Sequence, residues 1–174
     1  PPRPPRPLPG RGLEPPRPLQ PFTLTDHTGA PFSLSDLEGR PALVFFGFTN
    51  CPEACPTTLM NASRALADSG SAERDTRILF ISVDPERDTP QAVGAYVRNF
   101  GPAVTGMTGD AAGIAAAAAA FHVFYEKMPP MPDGGYMVNH SAALFLLGTS
   151  DDMLEIIPYG ATAAEIAAAL ARNR

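Results

Sequence analysis

The stretch FFGFTNCPEACPTTLM, residues 45 to 60, holds Cys51 and Cys55, the only two cysteines in the chain. Two thiols in a chain of 174 residues do not make a disulfide scaffold, so they point to redox or metal chemistry. In both, the thiolate is the working form, as nucleophile or as ligand. Three residues, Pro52, Glu53 and Ala54, separate the pair. With Cys55 in the first turn of a helix, both sulfurs face one side of the loop. There they can close a disulfide or grip one ion. Two thiolates leave most metals incompletely coordinated, so a third ligand has to be sought.

Position follows from the elements around the pair. PALVFFGF (41–48) and RILFISV (77–83) are continuous apolar runs, the pattern of strands covered on both faces. Residues 56–68 have a helical pattern, with Leu59, Met60 and Leu66 expected on the buried side. The right-handed crossover rule makes the two strands parallel neighbours. Their carboxyl ends then share a rim, where open α/β sheets gather their ligands. Cys51 follows the first strand and DPERDTP (84–90) follows the second. At a helix start, unpaired N–H groups and the dipole favour thiolate.

PFTLTDHTGAPFSL reads as a β-hairpin turning at DHTG, followed by a short helical turn at 35–39. Asp88 or Thr89 can cap a helix with Pro90 near its first position, running to about Asn99. Residues 103–107 read as a strand, Asp110 caps an alanine-rich helix, and FHVFYEK (121–127) alternates like a strand. MPPMPDGG (128–135) is a loop. Residues 141–148 and 153–159 read as a hairpin, and 162–171 as a closing amphipathic helix. The expected fold class is α/β, a central mixed β-sheet flanked by helices with an N-terminal β-hairpin. The strand, loop, cysteine and helix are arranged as in the thioredoxin-like fold.

Residues 1–20 are expected to form a Pro/Arg-rich flexible tail or linker, and 21–174 the folded domain. Ten prolines in residues 1–21 favour extended, solvated backbone over helix or sheet. Arg3, Arg6, Arg11 and Arg17 against Glu14 give this tail +3, which leaves −8 on the remainder of a chain of net charge −5. So acidic a domain repels phosphate and excludes a nucleic-acid partner. No segment approaches the roughly 18 apolar residues of a membrane span.

The chain has three histidines. His27 lies in the hairpin turn and reads as a surface residue. His122 follows the alanine-rich helix and reads as a structural residue alternating on a strand. His140, in YMVNHSAALFLL, directly precedes a buried strand. In a thioredoxin-like fold the loop entering that strand faces the cysteine loop, which makes His140 the third ligand. Two thiolates and an imidazole form a soft set that selects Cu(I), with zinc as competitor. With two thiolates, Cu(I) leaves −1 and Cu(II) leaves zero, so either oxidation state fits. Thioethers also bind Cu(I), and Met128, Met131 and Met137 flank His140. Methionines that fill gaps or sit on a mobile loop are the simpler reading.

FGFTNCPEACP (46–56), DPERDTP (84–90) and NHS (139–141), together with FHVFYEK and Tyr159-Gly160, make the sequence resemble the Sco/SenC family. These are thioredoxin-fold copper proteins used in assembling cytochrome c oxidase. The resemblance covers about residues 21–172. It implies Cys51, Cys55 and His140 as ligands of copper, Cu(I) or Cu(II). It implies a membrane-tethered, monomeric domain on the periplasmic face of a bacterial inner membrane, or in the mitochondrial intermembrane space. The partner implied is the copper-site subunit of cytochrome c oxidase or another copper chaperone. Its implied role is copper delivery, or reduction of that subunit's cysteines with Cys51 and Cys55 as redox thiols. Two positions depart from the family pattern: Glu53 stands where aspartate is common, and Asn139 where aspartate usually precedes the histidine. A peroxidase is disfavoured, because no P-x-x-x-T-x-x-C motif precedes Cys51.

Overall fold

A computed structural model describes residues 12–52, 54–70 and 75–173. Its centre is a sheet of eight strands in the order β1 (Gly12–Arg17), β10 (Met153–Ile157), β9 (Leu144–Leu147), β4 (Ala42–Gly47), β5 (Arg77–Ser82), β6 (Val104–Thr108), β2 (Thr23–Asp26) and β3 (Pro31–Ser33). The middle strands are β4 (Ala42–Gly47), β5 (Arg77–Ser82) and β6 (Val104–Thr108), and they run parallel. β4 is buried at every position, which is why it reads as an unbroken apolar run. The hairpin of β2 (Thr23–Asp26) and β3 (Pro31–Ser33) joins β6 antiparallel. On the other side, β9 (Leu144–Leu147) and β10 (Met153–Ile157) form the expected antiparallel pair, with β9 against β4.

Helices cover both faces. Successive residues of a strand point to opposite sides, so Phe45 and Phe46 seed two cores. Phe45 meets Phe80, which meets Tyr96 of α2 (Pro90–Val97). On the same side Ser63 of α1 (Ala54–Asp68) donates to the Phe100 carbonyl, and α1 packs on α4 (Ala163–Arg172). Phe46 meets Phe121 of α3 (Ala111–Phe121) and Phe145, on the other side. Thr89, Asp110 and Thr162 cap α2, α3 and α4, each side chain accepting a first-turn N–H. The mixed sheet between helical layers is the thioredoxin-like architecture.

Several expectations need correction. Gly12–Arg17 forms β1, the edge strand beside β10, with Gly12 opposite Glu155 and Arg17 opposite Met153. The sheet therefore begins inside the segment read as a flexible tail. Pro15 and Pro16 have no donor to give, and they stand in the irregular stretch of the β1–β10 ladder between its two paired positions, Gly12 and Arg17. The remainder of that segment, residues 1–11, lies outside the described residues.

Met60 is 55% exposed; the buried stripe of α1 runs through Leu59, Ala62, Ala65 and Leu66. The strand expected over 121–127 spans only Tyr125–Lys127 (β7), because the alanine-rich helix continues through Phe121. His122 ends that helix in the left-handed conformation, φ 55°, and is exposed rather than alternating on a strand. His27 is half-buried and not a free surface residue. Its N–H donates to the Gly106 carbonyl at 2.8 Å, and its Nδ1 accepts the Gly106 N–H at 3.1 Å, which ties the hairpin turn to β6.

Candidate metal centre

The loop after β4 leaves the sheet at Phe48, and Cys51 closes a turn by donating its N–H to the Phe48 carbonyl. α1 starts at Ala54, which puts Cys55 in its first turn with its side chain fully buried. The Cys55 sulfur lies over Gly47, the last residue of β4. A Cβ at that glycine would stand 2.7 Å from Sγ and 2.9 Å from the Phe80 ring. Only a residue without a side chain lets the helix start sit this close to the strand end.

His140 arrives from a different element. It ends β8 (Val138–His140), which pairs with β7 in a two-stranded ribbon separate from the main sheet, Tyr125 opposite His140. Ser141 adds one more rung to the ribbon, opposite Phe124: Ser141 N–H donates to the Phe124 carbonyl, and Ser141 Oγ accepts the Phe124 N–H. The imidazole lies against Phe45 and Phe48, ring centroids 6.2 and 5.7 Å away, both edge-on.

These three side chains converge as the fold argument expects. The donor atoms of Cys51, Cys55 and His140 all lie within 4.8 Å of one another, with Cys55 Sγ 4.0 Å from His140 Nε2. Donors bound about 2.1–2.3 Å from one trigonal ion stand about 3.6–4.0 Å apart, so a small contraction completes the site. Tautomer also fits. Nδ1 of His140 is 2.9 Å from the Ser141 carbonyl oxygen. A carbonyl only accepts, so in the neutral ring Nδ1 carries the proton and Nε2 offers its lone pair to the sulfurs.

The thiols share their protons unequally. The Cys55 thiol donates toward Cys51, which outweighs burial and holds Cys51 at about 4. Cys55 is pushed up, because it supplies that hydrogen bond and lies deep in the core. The pair therefore presents one thiolate and one thiol, and the second proton leaves when a cation or an electrophile replaces it.

Residues after β5 position the loop. Asp88 is buried, and its carboxylate accepts from Thr49 N–H at 2.9 Å, Thr49 Oγ1 at 2.6 Å and Ser82 Oγ at 2.7 Å. It is the brace of the cysteine loop; the helix cap is Thr89. Asp84, also buried, pairs with Arg87 and accepts from the Tyr136 hydroxyl at 2.6 Å. The Arg87 guanidinium lies 3.7 Å from the Tyr136 ring centroid and 5.9 Å from that of Phe48. A continuous contact thus runs from DPERDTP through Phe48 to His140. Gly47, Phe48, Tyr136 and Ser141 were not singled out from the sequence. A glycine ending an apolar strand and a tyrosine inside a Pro/Gly loop were the available signals.

Comparison with known proteins agrees with this arrangement. The SCO1/SenC family model matches residues 11–173. The human protein "Protein SCO1 homolog, mitochondrial" is 37% identical over 155 residues, 88% of this chain and 52% of the relative. The SCO2-like protein RP587 of Rickettsia prowazekii is 36% identical over 128 residues, 73% of this chain and 62% of the relative. The chain thus spans about half the length of the human relative. Among solved structures, ScoI of Bradyrhizobium japonicum with copper bound superposes with a TM-score of 0.80 at 37% identity, covering 90% of this chain and 99% of that one. Apo Sco1 of Thermus thermophilus gives 0.84 at 33% identity, covering 94% and 95%. The strand order, the convergent thiols and imidazole, and a family match over nearly the whole length lead to one assignment: the chain belongs to the SCO1/SenC family.

Proposed function

We propose that this chain carries copper for the assembly of cytochrome c oxidase, holding it on Cys51, Cys55 and His140. The observation that carries this reading is the meeting of two sulfurs and a correctly protonated imidazole, within 4.8 Å, on the rim of the sheet. Relatives give it support: one is solved with copper bound at 37% identity, and another, at 26% identity and a TM-score of 0.66, is described as a member of the Sco family of cytochrome c oxidase assembly proteins. Copper here is cargo. Cys51 thiolate meets the ion first, Cys55 gives up its proton as it coordinates, and Nε2 of His140 completes a trigonal set. The cargo leaves by exchange of these ligands, one at a time, for those of the acceptor. The acceptor in this reading is the copper-site subunit of the oxidase or another copper chaperone. The domain is tethered by a preceding membrane anchor and faces the periplasm or the intermembrane space. No helix among the described residues is long and apolar enough to cross a membrane.

A second reading, thiol–disulfide reduction, is favoured by the unequal thiols. Cys51 thiolate attacks a disulfide of the partner and releases one thiolate. Cys55, deprotonated, then attacks the Cys51 sulfur of the mixed disulfide. A Cys51–Cys55 disulfide forms and the partner leaves with two thiols. One variant separates the readings. His140→Ala removes an ion ligand and leaves both thiols. Carriage predicts a loss of copper affinity of about 10–100-fold, with the Cys51–Cys55 disulfide still forming. Full copper retention with loss of partner reduction alone would favour the reductase.

A further inference from the structure

Three thioethers lie outside the site described above. Met128, Met131 and Met137 are 39, 44 and 36% exposed, so they fill no gap in the core. Nor do they sit on a loose loop. They occupy the tip of the β7–β8 ribbon, which is pinned to the DPERDTP loop in two places. Lys127 donates to Glu86 at 2.8 Å, and the Tyr136 hydroxyl donates to buried Asp84. Lys127 also lies over the Tyr136 ring, 4.3 Å from its centroid.

The ribbon's register gathers the three. Lys127 pairs with Val138, and the Met128 N–H donates to the Met137 carbonyl at 2.8 Å, so these two methionines are cross-strand partners. Side chains placed so have Cβ atoms about 4.5–5.5 Å apart, within reach of one ion for an unbranched thioether. At the tip, Met131 N–H donates to the Gly135 carbonyl and Gly134 N–H returns to the Met131 carbonyl. This turn folds Met131 back: its methyl lies 3.6 Å from where a Cβ on Gly135 would stand. All three thioethers therefore gather over one end of the ribbon. Neutral sulfur donors select Cu(I) over Cu(II) and zinc. Met137 directly precedes β8, so Met128 and Met137 share the outer face of the ribbon with Glu126 and Asn139, opposite the face that carries Val138 and His140.

We propose that Met128, Met131 and Met137 form a second, weaker Cu(I) site on the outer face of the ribbon, separate from Cys51, Cys55 and His140. It stands whether or not the thiols carry copper.

One measurement on the full chain tests this. Cu(I) is titrated anaerobically against a chromophoric Cu(I) chelator into Cys51→Ala/Cys55→Ala, with the methionine methyl groups followed by NMR. The expected result is one Cu(I) bound, with the signals of Met128, Met131 and Met137 shifting and that of exposed Met60 unmoved. Adding Met128→Leu, Met131→Leu and Met137→Leu, close in volume and exposed, is expected to weaken binding at least about tenfold. Equal binding with and without these three changes, or an equal shift at Met60, overturns the site.

Discussion

Cys51 keeps 9% exposure and Cys55 none, and the proton they share sits on the enclosed sulfur. Because Cys51 is held at about 4, well below an ordinary thiol, its thiolate persists through neutral and mildly acid solution and is lost only as pH falls toward that value. Alkylation of the metal-free, reduced chain by iodoacetamide at pH 6 should therefore modify Cys51 and spare Cys55, as peptide mass spectrometry can read. Equal labelling of both would contradict the unequal sharing of the proton. Gly47 sets a steric limit at the same place. Gly47→Ala puts a methyl into the Cys55 sulfur and the Phe80 ring. We expect a loss of about 1–3 kcal/mol in urea unfolding, and weaker copper retention because the sulfur is pushed off its line toward His140.

Each of the two site-bearing elements has its own brace. The cysteine loop hangs on Asp88. Asp88→Ala leaves the Thr49 N–H and two hydroxyls without their acceptor, and is expected to cost about 2–4 kcal/mol. Its copper affinity should fall further than that of Thr89→Ala, which only uncaps α2; similar effects from the two would show that Asp88 does not position the loop. The β7–β8 ribbon hangs on Tyr136 and Lys127, through Asp84 and Glu86. The same two elements were unequally legible in the sequence. Strand, cysteine loop and helix read clearly, because an unbroken apolar run and a proline-punctuated thiol pair are local patterns. The ribbon did not. β8 is three residues long, Val138–His140, and only one of them is buried, so it carries no period to detect. His140 was found through the order of the fold, not through its own surroundings. Asp88 was read as a cap because its partners Thr49 and Ser82 become neighbours only when β4 and β5 pair. His122 was placed on a strand because alternation in FHVFYEK overlaps the end of the alanine-rich helix, and periodicity alone does not choose between the two.

At the level of the whole molecule, β1 closes one edge of the sheet. Pro15 and Pro16 within it offer no donors to a further strand, so the edge is blunt. Removing residues 1–17 exposes β10 instead, a strand with free donors and acceptors. The shortened chain is expected to associate on size-exclusion chromatography more strongly with concentration than the full chain does; an elution volume unchanged by the truncation would show that β1 does not protect the edge. At the other side of β10, Glu155 is buried and its charge is met by Arg172 at 2.8 Å and by Asn173. Arg172→Met strands that carboxylate and should cost about 2 kcal/mol, readable as a lowered urea midpoint. The separateness of the β7–β8 ribbon has one more consequence. An ion bound by all three donors bridges two sheets that otherwise share no strand, so it acts as a cross-link. Copper binding is expected to stiffen the ribbon, so that amide hydrogens between Tyr125 and His140 exchange more slowly with the ion bound than without it. On the carrier reading, a partner pressing on that ribbon would meet a stiffer surface when the ion is bound, without touching it.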